Sequence, residues 1–165
     1  MSEIHLHRLT ATEVEPVSAL ARVIWQATYP ALISQAQIDT MLNDRYTAER
    51  IRLQLDDPAH GWWTAYDQHA LVGFAHAMMS DQACKLDKLY VHPTAQRRGI
   101  GGLLIDAIQQ WAQQQQAQRL WLQVNRGNTQ AIAAYQQYGF HIIESRVFDI
   151  GNGFVMDDYV MEHVR

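Results

Sequence analysis

Apolar and polar positions along the first third of the chain predict one strand followed by helices. Alternation over Ile4–Arg8 is typical of a short strand. Apolar residues then recur at helical spacing after Thr12 and Glu15, a pair with the spacing of a capping box, and again after Ser34. A third helical pattern covers residues 47–55. We therefore expect one strand and three helices here.

The middle of the chain carries β-strand patterns. Three runs, residues 62–66, 70–79 and 83–92, are separated by short polar connections. Strands joined so closely pair with their neighbours in an antiparallel way. This segment therefore predicts an antiparallel meander.

After Pro93 the patterns alternate between helix and strand. A helix is expected over residues 96–116, a strand over 120–124 and a helix over 128–138, which Gly139 ends as a left-handed cap. Strand, helix and strand in this order imply a parallel crossover.

Two closing strands, residues 140–148 and 154–164, are joined by Gly151, Asn152 and Gly153, a sequence typical of a hairpin turn. Together with the preceding elements they predict an α/β (α+β) fold with a mixed sheet. In that fold the antiparallel meander is joined to the β-α-β crossover.

Length and composition narrow the class of protein. A chain of 165 residues with 48% apolar and 18% charged residues is expected to form one globular domain over 1–165. The net charge of −4 argues against a nucleic-acid or anionic-membrane partner, and one cysteine excludes an intramolecular disulfide. No apolar run of signal-peptide or membrane-spanning type occurs, so we expect a cytoplasmic protein. Eight histidines without a His-Glu-x-x-His motif predict no metal site.

A glycine-rich turn stands between a predicted strand and a predicted helix in LYVHPTAQRRGIGGLL. Gly99, Gly101 and Gly102 allow close approach of the backbone to a ligand, and the helix adds its positive N-terminal end. This favours a phosphate or pyrophosphate site. A P-loop is excluded because no Gly-Lys-Ser/Thr follows the glycines, and the dinucleotide fingerprint fails because Leu104 occupies its third small position. An ordinary turn remains the alternative.

A second motif, N-x-x-A-I-x-x-Y-x-x-x-G-F, begins at Asn128, about thirty residues after the glycine turn. The two motifs together resemble the GNAT superfamily, the acyl-CoA-dependent N-acetyltransferases. In this family the Q/R-x-x-G-x-G/A turn holds the pyrophosphate of coenzyme A, and the preceding strand lies along the pantetheine. The resemblance implies a GNAT fold in which two parallel strands splay apart.

The resemblance also implies acetyl-CoA as co-substrate and a set of residues that contact it. These are Leu89, Tyr90, Val91, Gln96, Arg97, Arg98, Gly99, Ile100, Gly101, Gly102, Asn128, Ala131 and Tyr135. Asn128 also fits the simpler role of a helix N-cap, and the two roles are compatible.

Acetyl transfer to an amine needs a proton for the departing thiolate and a base for the amine. By resemblance, Tyr135 is the proton donor, and a phenol with a pKa near 10 can supply a thiolate whose acid has a pKa near 8.5. The alternative is a core tyrosine. Asp87 is the candidate base, since spermidine/spermine-type acetyltransferases carry an acid two residues before the position of Leu89. Its neighbours Lys85 and Lys88 also fit a merely paired carboxylate.

The acceptor is less well specified by the sequence. Trp25 and Tyr29 are candidates for the acceptor pocket or for the core. Residues 25–33 and 157–161 resemble polyamine acetyltransferases of the PaiA type, and Asp56, Asp57, Asp157 and Asp158 would suit a cationic amine. Gln123 replaces the glutamate of ribosomal-protein N-terminal acetyltransferases, which argues against a protein N-terminus.

We therefore expect an N-acetyltransferase for a primary amine of a small molecule, polyamine-like or otherwise cationic. Two alternatives stay open: a non-catalytic acyl-CoA-binding regulatory module, and an acetyltransferase for protein lysine or N-terminal amines. Dimers are frequent in the family, so the resemblance also raises the expectation of a homodimer.

Overall fold

A computed structural model describes residues 3–163 and contains a seven-stranded mixed sheet. Its strands are β1 (Ile4–Arg8), β2 (His60–Asp67), β3 (Ala70–Ser80), β4 (Ala83–Val91), β5 (Arg119–Asn125), β6 (Phe140–Gly151) and β7 (Phe154–His163). Their order across the sheet is β1-β2-β3-β4-β5-β7-β6. Only β4 and β5 pair in parallel, and the other neighbours are antiparallel. The predicted meander and crossover are confirmed.

Helices cover both faces of the sheet. They are α1 (Val14–Thr28), α2 (Gln35–Arg45), α3 (Ala48–Leu55), α4 (Ile100–Gln114) and α5 (Thr129–Gln137). The first three share one buried cluster with Trp62 and Phe74 of the sheet. Helix α4 shares the cluster on the opposite face, which α5 also contacts. No helix between residues 3 and 163 is long and apolar enough to cross a membrane.

The capping box before α1 lies two residues earlier than predicted. Thr10 and Glu13 form it, and a 3-10 turn over Ala11–Glu13 precedes the helix. The reason is tertiary, because the buried Glu13 carboxylate also accepts hydrogen bonds from Tyr66 at 2.6 Å and from His7 at 2.8 Å. Burial alone would raise the pKa of Glu13, but these bonds outweigh it and lower the pKa to about 2.

The start of α4 and the end of β6 differ from the sequence prediction, and β6 continues to Gly151 instead of ending at Phe148. Helix α4 begins at Ile100 and not at Gln96, because Arg97 and Gly99 adopt the left-handed conformation with φ of 66° and 78°. Strand β7 is described to His163, and the predicted end at Val164 lies outside the described residues. Gly139, with φ of 98°, has the predicted left-handed conformation beyond α5.

Strands β4 and β5 pair only at their beginnings. The paired positions are Ala83 with Arg119, Cys84 with Leu120, and Lys85 with Trp121. Directly afterwards the β3–β4 register shifts, with His76 opposite Lys88 but Ala77 opposite Leu86, so that Asp87 is an extra residue in β4. A bulge of this kind bends its strand and increases its twist. The two parallel strands therefore splay apart from this point.

Candidate active site

The diverging ends of β4 and β5 open a cavity of about 860 Å³. Its walls also include the turn before α4, the exposed side of α5, and the C-terminal ends of α1 and α2. A cavity of this size is in the range of small-molecule and cofactor sites. Between residues 3 and 163, no three histidine, cysteine, aspartate or glutamate side chains converge as a metal site would require.

One end of the cavity is the glycine turn. The left-handed Arg97 and Gly99 turn the backbone, and α4 begins immediately afterwards, so its first N–H groups have no acceptor within the helix. Gly102 packs against the ring of Tyr138, where a Cβ atom would lie 2.8 Å from the ring. Alternating backbone conformations followed by a helix N-terminus form a concavity suited to an anion.

Most residues predicted to bind acetyl-CoA line this cavity. They are Leu89, Tyr90, Val91, Gln96, Arg97, Gly99, Ile100, Gly101, Asn128, Ala131 and Tyr135. Arg98 and Gly102 do not line it. The Arg98 guanidinium is paired with Asp67 at 2.9 Å, whereas Arg97 forms no ion pair within residues 3–163. Of the two adjacent arginines, only Arg97 therefore offers a free charge to the cavity.

Tyr135 lies on α5 beside the cavity, half-buried, with its ring edge-on to Phe140 at 5.8 Å between centroids. Its hydroxyl has no hydrogen-bond partner among residues 3–163, and burial raises its pKa above the usual value for tyrosine. The phenol is thus protonated at neutral pH and free to donate. Asn128 caps α5, its side chain accepting from the N–H of Ala131 at 3.3 Å.

An aromatic cluster forms the wall on the α1 side. Trp25 and Tyr29 are buried core residues that also line the cavity, so the two alternatives for them coincide. The hydroxyls of Tyr29 and Tyr90 lie 3.0 Å apart. Burial first, and then the neighbouring Tyr90, Tyr135 and Asp158, raise the pKa of Tyr29. Tyr29 therefore lies within electrostatic reach of both Tyr135 and Asp158.

Asp87 lines the cavity from the β4 bulge, but both of its carboxylate oxygens have cationic or N–H partners. Oδ2 lies 2.5 Å from Lys88 Nζ and 3.0 Å from His76 Nδ1, and Oδ1 lies 3.4 Å from Lys85 Nζ. His76 Nε2 is in turn 2.7 Å from Nδ1 of His60. The bulge places the Asp87 and Lys88 side chains together, although they are adjacent in sequence.

Asp87 and its three partners, Lys85, Lys88 and His76, form a cluster whose charges depend on one another. Burial alone would raise the pKa of Asp87, but Lys88, His76 and Lys85 outweigh it and hold the pKa well below the usual value. Burial lowers the pKa of His76 to about 4, so this histidine is neutral at pH 7. A carboxylate with a lowered pKa is a weak proton acceptor. The contacts of Asp87 therefore fit a structural role, in which its negative charge stabilises the bulge.

Asp158 is a cavity residue that the sequence indicated only as one of four aspartates suited to a cationic acceptor. It lies on β7, is 1% exposed, and accepts from the Gln123 side-chain amide through Oδ2 at 2.9 Å. Its Oδ1 is buried and has no hydrogen-bond partner among residues 3–163. Burial is the largest influence on its pKa and raises it. Of the four aspartates proposed for a cationic acceptor, only Asp158 lines the cavity.

The sequence carries a local signal for the β4 bulge but none for the contact between Gln123 and Asp158. Lys85-Leu86-Asp87-Lys88-Leu89 breaks the period-2 alternation, because Cys84 and Leu86 pack on the α4 face before the break, and Leu89 and Val91 after it. A doublet of polar residues at such a break could have indicated the bulge. The pairing of Gln123 with Asp158 joins two strands far apart in sequence and leaves no local signal.

Comparison with known proteins decides the family. The model of the acetyltransferase (GNAT) family matches residues 22–140. The chain belongs to this family. The spermidine N(1)-acetyltransferase of Thermoplasma acidophilum is similar to this GNAT protein, with 21% identity over 158 residues, or 93% of this chain and 96% of that relative. The peptidyl-lysine N-acetyltransferase YiaC of Escherichia coli is 37% identical over 82 residues, which is 50% of this chain and 51% of that relative.

Solved structures show the same fold for this acetyltransferase. The PaiA N-acetyltransferase of Thermoplasma acidophilum, in complex with coenzyme A, superposes with a TM-score of 0.85 at 20% identity and covers 99% of both chains. A GCN5-related N-acetyltransferase of Rhodopseudomonas palustris superposes with a TM-score of 0.81 at 21% identity, covering 100% of this chain and 98% of the other. The predicted GNAT fold is confirmed.

Replacing Asp87 tests its structural role. Asp87→Asn leaves Lys88, which is 4% exposed, without its counter-ion, so we expect the free energy of unfolding at pH 7 to fall by about 3–5 kcal/mol. Urea unfolding measures this. Because the Asp87 pKa is lowered in the folded protein, the loss should persist down to about pH 4 and shrink below it.

The matched control is Asp106→Asn, an exposed aspartate on α4, for which we expect a change within about 0.5 kcal/mol. If Asp87→Asn were as stable as this control, the claim that the bulge needs the Asp87 charge would be wrong.

Proposed function

We propose that this protein transfers an acetyl group from acetyl-CoA to a primary amine of a small molecule. One observation carries the proposal: the cavity between β4 and β5 runs from the glycine turn to Tyr135 and Asp158. An anion-binding concavity, a protonated phenol and a buried carboxylate thus share one space. These are the groups that acetyl transfer to an amine requires.

The residues around the glycine turn fit coenzyme A. The first N–H groups of α4 and the free Arg97 guanidinium would hold its pyrophosphate. The β4 edge from Leu86 to Val91 has no pairing with β5 and would align the pantetheine. When bound, acetyl-CoA supplies the activated acetyl group as a thioester. The remaining chemistry falls to side chains of this chain.

Tyr135 is the proposed proton donor to the leaving thiolate. Its hydroxyl has no hydrogen-bond partner within residues 3–163, and the raised pKa keeps it protonated throughout the neutral range. Asp87 remains a predicted base, and its role in proton removal is weakened by the three partners that hold its pKa low. A supporting function of Asp87 is to fix Lys88 and His76 beside the cavity.

A polyamine is the first acceptor class to test. Spermidine is the substrate in the name of the Thermoplasma relative, and another similar structure is a spermidine N-acetyltransferase SpeG chimera from Vibrio cholerae and hSSAT. A buried carboxylate in the cavity suits an ammonium group. A protein lysine is the second candidate, because the peptidyl-lysine acetyltransferase YiaC is 37% identical to half of this chain.

Release of free coenzyme A thiol from acetyl-CoA tests the proposed function. The panel contains polyamines, amino acids, aminoglycosides, a lysine peptide and a peptide with a free N-terminus. Release that depends on a small amine supports the proposal, and release that depends on the lysine peptide alone replaces it by the second candidate. Binding of acetyl-CoA without release from any acceptor would indicate a non-catalytic acyl-CoA-binding module.

Tyr135→Phe separates catalysis from binding. Loss of the donated proton should lower kcat about 100-fold or more, while the Kd for acetyl-CoA, measured by calorimetry, changes less than about twofold. Tyr159→Phe is the control, since Tyr159 packs against the core and does not line the cavity. Unchanged kcat in Tyr135→Phe would remove the tyrosine from the mechanism.

The two adjacent arginines provide a matched pair for the anion site. Arg97→Gln should weaken coenzyme A binding about tenfold, because Arg97 lines the cavity and has no ion-pair partner in the described residues 3–163. Arg98→Gln should weaken it less than about twofold, because Arg98 is bound to Asp67. Calorimetry at low and high salt measures both, and the Arg97 effect should shrink in salt. Equal effects would contradict the placement of the pyrophosphate.

A further inference from the structure

We propose that Asp158 is the group that receives the acceptor amine: its Oδ1 binds the primary ammonium and takes its proton. The inference rests on the proposed function and adds a catalytic residue on β7 that neither motif of the family contains. It is carried by a single feature of the cavity, a buried carboxylate with one oxygen that has no hydrogen-bond partner among residues 3–163.

The two oxygens of Asp158 have different surroundings. Oδ2 accepts from the Gln123 amide at 2.9 Å, which fixes the orientation of the carboxylate, while Oδ1 has no partner in the part of the chain that the structure describes. Buried polar atoms are almost always hydrogen-bonded, and an exception requires an explanation. Asp158 lines the cavity, so a ligand with N–H donors would satisfy Oδ1. A primary ammonium supplies both the donors and the opposite charge.

Asp87 is the other carboxylate of the cavity, and both of its oxygens have partners. Lys85 is paired with Oδ1, and Lys88 and His76 with Oδ2. An incoming ammonium would therefore have to displace partners from Asp87, whereas Oδ1 of Asp158 has no partner to displace in the part of the chain that the structure describes. The geometry thus assigns the amine to β7 and not to the β4 bulge.

Charged and titratable groups of several elements lie near Asp158. Arg146 of β6 is opposite Asp158 in the sheet, and its guanidinium is paired with Glu144 at 2.6 Å. Lys85 on β4 and Arg45 at the end of α2 favour the charged carboxylate, as does the bond from Gln123. Asp157 on β7 disfavours it, and Tyr29 lies within electrostatic reach. Burial is the largest influence, and the pKa of Asp158 is raised above the usual value for aspartate. A raised pKa makes this carboxylate the better base of the two.

The proton step balances without another reactant. One N–H bond of the ammonium breaks, the electron pair stays on the nitrogen, and the proton forms an O–H bond with Asp158 Oδ1. The amine is then neutral and nucleophilic, and Asp158 is a neutral carboxylic acid. The proton returns to solvent after the product leaves, which restores the carboxylate for the next turnover.

The central experiment compares Asp158→Asn with Asp157→Asn. The two aspartates are adjacent, but Asp157 is 59% exposed and paired with Arg126 at 3.6 Å. For the amine that the wild type acetylates best, Asp158→Asn should lower kcat/KM about 100-fold or more, and Asp157→Asn less than about threefold. The Kd for acetyl-CoA should be unchanged in both. Turnover of Asp158→Asn within threefold of the wild type would overturn the inference.

Stability and pH provide readouts that a structural role would not share. Because the Asp158 pKa is raised by folding, its charge opposes folding as pH rises through that pKa. Asp158→Asn should therefore match the wild type in Tm at low pH and equal or exceed it at pH 7. In kinetics, the acid limb of the kcat/KM profile should disappear in this variant. A lower Tm than that of Asp157→Asn at pH 7 would show a structural carboxylate and overturn the assignment.

Binding of spermidine to the coenzyme A-saturated protein separates this inference from the proposed function. We expect Asp158→Asn to weaken spermidine binding about tenfold by calorimetry, and Asp157→Asn less than twofold. If the wild type acetylates no amine, the proposed function fails, yet this difference in affinity would still support an ammonium site at Asp158. Equal affinities, or no binding of spermidine to the wild type, would overturn the site itself.

Discussion

The ion cluster at Asp87 is the interaction on which the rest of the structure depends. Asp87 is the extra residue of β4, and its carboxylate is surrounded by Lys85, Lys88 and His76 at the position where pairing with β5 ends. A bulge without these partners would leave a buried charge uncompensated in the sheet. The cluster instead stabilises the bend, and the bend separates β4 from β5. The cavity exists because of this separation.

The fold shifts the pKa values of the two carboxylates that line the cavity in opposite directions. The fold stabilises the charge of Asp87, whose pKa is lowered, and it opposes the charge of Asp158, whose pKa is raised. A buried carboxylate that costs stability and has one oxygen without a partner among residues 3–163 is a common mark of function, since activity often requires strained or unsatisfied groups. This difference in pKa indicates separate roles: Asp87 on β4 maintains the shape of the cavity, and Asp158 on β7 binds the amine.

The glycine turn and α5 meet at the same cavity although they are separate motifs in the sequence. Gly102 packs against Tyr138 of the α5 C-terminus, so the turn that would bind the pyrophosphate and the helix that presents Tyr135 are in direct contact. This contact couples the position of the anion site to that of the proposed proton donor. It also explains a glycine at position 102, which does not itself line the cavity.

Periodicity and motif spacing predicted the order of elements because these signals are local. Strand alternation, helical spacing and the cap at Gly139 depend on neighbours within a few residues. One error arises from contacts with distant residues, and another from the backbone conformation directly before a helix. Tyr66 and His7 draw Glu13 into the capping box in place of Glu15, and left-handed Arg97 and Gly99 delay the start of α4.

In the site, the motif residues were predictable. Asp158 was predicted only as one of four aspartates suited to a cationic amine, because its contact with Gln123 joins β7 to β5 across 35 positions of sequence. The side chain of Arg98 was assigned to the ligand from its neighbours in the motif. Its contact with Asp67 on β2 could be seen only in three dimensions.

The separate roles of Asp87 and Asp158 are tested most directly by titrating the aspartate side-chain carboxyl carbons of the wild-type protein by 13C NMR. The variants Asp87→Asn and Asp158→Asn serve for assignment. We expect Asp87 to titrate below the usual aspartate pKa of about 3.8 and Asp158 above it. Equal pKa values, or the reverse order, would contradict the division of roles between the two carboxylates.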